Sequence, residues 1–132
     1  MDTGTHKMKV LLVEPDKQYQ ASRQEMISRT LGSQKVSVDI VSTGAEALVL
    51  FQNHKPYDFV LLTDNLPDIS AQFIISTIRY FDTADQQHTL VLLFNDQNTD
   101  HPNLDPYLQI EADAILHPLA LDTLQQVLMR QL

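Results

Sequence analysis

The chain has 132 residues, 43% of them hydrophobic, with three glycines and no cysteine; this suits one packed domain and excludes disulfides, a thiolate metal site and thiol catalysis. Nine Lys and Arg against seventeen Asp and Glu give a net charge of −8, and no basic stretch is dense enough to neutralise a run of phosphates, which argues against direct nucleic-acid binding. No apolar run approaches the roughly 18 residues of a membrane span and no signal-peptide core is present, so a soluble, cytoplasmic domain without a membrane partner is expected.

Residues 1–8 are expected to form a flexible N-terminus, followed by a single domain over 9–132. The run Lys9-Val10-Leu11-Leu12-Val13, apolar at consecutive positions, predicts a strand buried on both faces, closed by Glu14-Pro15-Asp16. Tyr19, Met26, Ile27 and Leu31 then fall on one face of a helix that stops at Gly32-Ser33. Residues 36–41 predict a second strand. Thr43-Gly44-Ala45-Glu46 has the form of a capping box opening a helix to about His54. Pro56-Tyr57 breaks that helix, and Phe59-Val60-Leu61-Leu62 is the most apolar strand candidate, ending at Thr63-Asp64-Asn65-Leu66-Pro67-Asp68. Ile74, Ile78 and Phe81 mark a third helix up to the polar residues 82–87, and 90–94 predict a fourth strand. Over residues 95–111, Pro102 and Pro106 leave room for only a short or irregular helix. Ala114-Ile115-Leu116 predicts a brief fifth strand, and Leu121, Leu124, Val127 and Leu128 a final amphipathic helix.

Strands alternating with helices predict an α/β domain: a doubly wound, five-stranded parallel sheet of order 2-1-3-4-5 with helices on both faces. In such sheets the functional crevice lies beyond the carboxyl ends of the strands where the order reverses, here between the first and third. Glu14, Asp16, Thr63 and Asp64 should converge there.

The run from Tyr57 to Asp68 resembles the third strand and following loop of response-regulator receivers, which end that strand with an aspartate four residues before a proline. Val10-Leu11-Leu12-Val13-Glu14-Pro15-Asp16 is similar to the family's first strand and acidic pair, and His117-Pro118 to its Lys-Pro step after the fifth strand. The landmarks occur in order over nearly the whole chain, so the resemblance implies the flavodoxin-like (CheY-like) fold. Active receivers bind Mg²⁺ through the acidic residues and the acceptor aspartate, take a phosphoryl group on that aspartate, and pair it with a lysine and a hydroxyl.

Carried over residue by residue, the pattern is dismantled. Glu14 matches the first acidic position, but Pro15 falls on the second. Thr63 falls on the acceptor, and its neutral hydroxyl is a poor nucleophile without a base beside it. His117 replaces the lysine with a shorter imidazole, whose unperturbed pKa of about 6.5 leaves it mostly neutral at pH 7. Asn95 stands at the signalling hydroxyl, and Ala114 where many receivers carry a switching aromatic ring. The departures together imply a pseudo-receiver: a non-enzymatic, phosphorylation-independent interaction module of bacterial two-component signalling. It would contact a protein partner or a second copy through the face of its fourth helix, fifth strand and fifth helix, or serve an effector domain in a longer native chain. No resident cofactor is expected.

Two other readings stay open on the residues. Asp64, one position beyond the acceptor, could take the phosphoryl group if Glu14, Asp16 and Asp64 held Mg²⁺ between them; against this, Asp16 reads as the cap of the first helix and Asp64 as a loop residue. A small-molecule site of flavodoxin type is disfavoured because these carboxylates would repel a phosphate. His6, His54, His88 and His101 lack metal-ligand spacing and read as surface residues, Pro118 with His117 as structural, and Tyr107, Leu108 and Ile110 as candidate partner anchors.

Overall fold

A computed structural model describes residues 7–32, 34–63, 66–94 and 114–116 of the chain. The consecutive apolar runs form β1 (Met8–Val13), β2 (Val36–Val41), β3 (Phe59–Thr63), β4 (Leu90–Phe94) and β5 (Ala114–Leu116), joined in part by α1 (Lys17–Leu31), α2 (Gly44–His54) and α3 (Ala71–Asp85). All strand pairings are parallel, as the alternation of strands and helices predicts, and the order is the expected one, β2-β1-β3-β4-β5. The irregular segment over 95–111, its anchors Tyr107, Leu108 and Ile110, and the final helix lie outside the described residues.

The two-residue period of a strand sorts each apolar run into two cores. Leu11 and Val13 of β1, Val60 and Leu62 of β3, and Val91 and Leu93 of β4 pack with Ala47 and Phe51 of α2 and Ala71, Ile74, Ile75 and Ile78 of α3. The alternate residues Val10, Leu12, Phe59, Leu61 and Leu92 face the other way, onto Ile27 and Leu31 of α1. Each fully buried Leu, Ile or Phe stabilises the fold by about 1.5–3 kcal/mol, and this two-sided demand is why the central strands carry no polar alternation. The edge strand β2, by contrast, mixes exposed and buried positions.

Three local readings need correction. Met8, placed with the flexible N-terminus, opens β1: its N–H donates to the Lys35 carbonyl at 2.8 Å and it lies opposite Val36. Tyr19, read as an inward residue of α1, is 45% exposed; it sits in the first turn, and the inward row is Arg23, Ile27 and Leu31. The third helix passes the polar residues at its end and runs to Asp85. It does so because Asp82 is buried, its carboxylate accepting the Thr89 N–H and hydroxyl, each at 2.7 Å, and Arg79 Nη1 at 3.2 Å. No helix among the described residues is long and apolar enough to cross a membrane. His54 and His88 are exposed, whereas His6 and His101 lie outside the described residues.

Candidate functional site

Where β1 and β3 run side by side, Val13 is the partner of Leu62, so the residues that follow them, Glu14 and Thr63, emerge together at the carboxyl edge of the sheet. Thr63 is the last residue of β3, paired with Phe94 of β4, and is fully buried. Glu14 is held there by its N–H, which donates to the Val41 carbonyl of β2 at 2.9 Å. It is only 2% exposed, and a carboxylate so placed needs a partner.

Arg23 supplies it. The helix that follows β1 brings Arg23, itself 6% exposed, back over the crevice, where its Nη1 ion-pairs with Oε1 of Glu14. The other carboxylate oxygen, Oε2, accepts the Asp16 N–H at 3.0 Å. Gln20 Nε2 donates to the Glu14 carbonyl at 2.6 Å and to Ser42 Oγ at 3.1 Å, tying the end of β1 to the loop after β2. The Tyr19 ring lies 5.0 Å from the Arg23 guanidinium carbon, a cation–π contact. Neither Arg23 nor Gln20 stood out in the sequence, because a polar residue on an apolar helix row signals nothing about its burial.

Asp16 is the N-cap of α1: its Oδ1 accepts the N–H groups of Gln18 at 2.8 Å and Tyr19 at 3.3 Å. Pro15, between the two acids, is partly buried and carries no side-chain donor or acceptor. Ala114 is the first residue of β5, opposite Leu92 of β4. Asp64, Asn95, His117 and Pro118 lie outside the described residues.

The loop after β3 contributes a carboxylate that the sequence reading passed over. Asp68 reaches the N-terminus of α2 and accepts the N–H groups of Gly44 at 2.8 Å and Ala45 at 3.0 Å. With Thr43 Oγ1 accepting the Glu46 N–H at 3.2 Å, three of the orphan amides of that helix are satisfied. Glu46 completes the capping box one residue early, accepting the Ser42 N–H at 3.3 Å and the Thr43 hydroxyl at 3.1 Å. The amides of Ala45 and Gly44 hold the Asp68 carboxyl below the usual carboxylate range. Gly44 is needed for this approach: a Cβ there would lie 2.9 Å from Ile74 Cδ1, 3.0 Å from Ile69 Cβ and 3.2 Å from Asp68 Oδ1.

These residues do not fit Mg²⁺, which requires near-octahedral oxygen ligands and brings its own water. Glu14 has both carboxylate oxygens engaged, one by a cation; Pro15 has no ligand atom; the Asp16 carboxylate is turned to the helix amides; and Thr63 offers a neutral buried hydroxyl. Among the described residues no group of three His, Cys, Asp or Glu side chains is placed to share an ion.

No protein-family model matches the chain, and no curated protein matches it. Solved structures do. The signal receiver domain of a DNA-binding response regulator from Colwellia psychrerythraea superposes with a TM-score of 0.79 at 18% identity, covering 95% of this chain and 98% of that one. A receiver domain from Methylobacillus flagellatus gives 0.76 at 20% identity, with 94% and 98% covered. A chemotaxis response regulator of Vibrio cholerae gives 0.71 at 23% identity, with 96% and 99% covered. The chain therefore has the response-regulator receiver (CheY-like) fold, over nearly its full length.

Proposed function

We propose that this domain is a receiver-type module of two-component signalling that works without phosphorylation, through contact with a protein partner. The observation that carries this reading is the replacement of the acidic crevice by an ion pair: Glu14 faces Arg23 rather than an open ligand position, beside a buried Thr63 where the resemblance places the acceptor. Phosphoryl transfer between anionic groups depends on cations that neutralise charge as it develops. A threonine hydroxyl is neutral and a poor nucleophile for that chemistry. The scaffold that presents the crevice is nonetheless intact, which supports selection for surface rather than for catalysis. Solved receivers of this fold include part of a DNA-binding regulator and a chemotaxis regulator, so a shared scaffold is compatible with very different outputs. We place the contact on the face that includes β5, with a signalling protein, an effector domain or a second copy of the chain as the partner.

The test is amide NMR of the full chain with Mg²⁺ and beryllofluoride, an acyl-phosphate mimic. The expected result is no saturable shift at Glu14, Thr63, Asp64, Asn95 or His117. Thr63→Ala should leave partner capture unchanged, while substitutions on the β5 face abolish it. Saturable beryllofluoride shifts centred on Asp64 would overturn the reading.

A further inference from the structure

We infer that the Arg23 guanidinium is the resident cation of the crevice, standing in for a divalent metal, so that Glu14 is permanently neutralised and the site does not respond to Mg²⁺. This rests on the reading above, that the crevice belongs to a receiver working without phosphate chemistry, and gives that reading a physical cause.

The pair is shielded on both sides, with Arg23 6% and Glu14 2% exposed, so mobile ions screen it little. The guanidinium is also fixed in place. The Tyr19 ring lies 5.0 Å from it, and α1, which carries it, is anchored at its start by the Asp16 cap. A divalent ion approaching Glu14 would have to displace a cation tethered to the same chain and present at very high effective concentration. It would find the second carboxylate oxygen already bound to the Asp16 N–H at 3.0 Å, and would sit beside the positive charge of the guanidinium. Exclusion of metal by Arg23 is thus separate from the loss of ligands at Pro15 and Thr63. Restoring a ligand alone should not restore binding.

That separation is testable by Mn²⁺-induced broadening of amide signals near residues 13–17 in the full chain. Pro15→Asp supplies a carboxylate at a partly buried loop position. The wild type and Pro15→Asp are expected to show no saturable broadening, whereas Pro15→Asp/Arg23→Met binds Mn²⁺ at least ~10-fold more tightly than Pro15→Asp. Saturable binding by the wild type, or equal binding with and without Arg23, overturns the inference. If the Met variant does not fold, Arg23→Gln in the same background retains a hydrogen-bond donor without the charge and should gain binding, while Arg23→Lys retains the charge and should not; equal binding by these two overturns it as well. The two readings fail separately. Mn²⁺ results against Arg23, with amides unmoved by beryllofluoride, remove this inference alone, whereas a beryllofluoride response with Arg23 in place removes the reading on which it rests.

Discussion

Two buried carboxylates stand at opposite ends of the sheet. Asp82, near the end of α3, is satisfied by the backbone and hydroxyl of Thr89 just before β4, with the partly exposed Arg79 beside it. Its partners are mostly neutral, seven residues away, and their effect is to tie a helix end to the strand that follows. Glu14 is satisfied by a guanidinium as buried as itself, carried on the next helix. Burial is similar in the two cases, but the first staples a loop and the second ties α1 to the carboxyl edge of the sheet. A buried acid therefore says little about function until its partner is known.

The sharpest way to break the comparison is to remove the cation. Arg23→Met should destabilise the domain by about 3–5 kcal/mol in chemical denaturation, because it takes the guanidinium away from a buried carboxylate. Adding Glu14→Leu should bring stability back to within about 1 kcal/mol of wild type, since an apolar pair of similar volume avoids the desolvation of both charges. Failure of that recovery would mean that the Asp16 N–H bond to Glu14 Oε2, which leucine cannot replace, matters more than the ion pair. Asp82→Ala comes next, at about 2–3 kcal/mol, from the buried Thr89 N–H and hydroxyl left without an acceptor; amide exchange should show the loss first at residues 86–90.

Gly44→Ala tests the crowded start of α2, with about 1–2 kcal/mol expected from forcing a methyl against Ile74 and Ile69. Asp68→Asn should have the smallest effect at neutral pH and a distinctive one in acid. The folded-state pKa of Asp68 is depressed, so its contribution is present above the ordinary Asp pKa of about 3.9 and is lost as pH falls through the lower folded value. Denaturation curves collected from neutral pH into that range should therefore lose part of their acid slope in Asp68→Asn; an unchanged slope would mean that the amides of Gly44 and Ala45 do not hold the carboxylate in solution.

Much of the fold was legible because its signals are local or strictly periodic. The five strands are read from short apolar runs, including three-residue β5, and α2 from Thr43 and Glu46, whose cap is made within four residues of chain. Asp16 as a helix cap is legible for the same reason. The features that escaped are non-local or chemically ambiguous. Asp68 caps a helix 24 residues earlier in the chain, and no spacing rule connects it to Gly44. Arg23 lies on the apolar row of α1, where a long polar side chain is ordinarily expected to reach solvent.

The residues by themselves determined the alternation of strands and helices, the parallel doubly wound sheet that follows from right-handed crossovers, and the placement of Glu14 and Thr63 at the carboxyl ends of their strands. Tertiary structure alone decided what that edge is. Charge compensation depends on which side chains share a desolvated volume, and only packing α1 against the sheet brings the Arg23 guanidinium against Glu14.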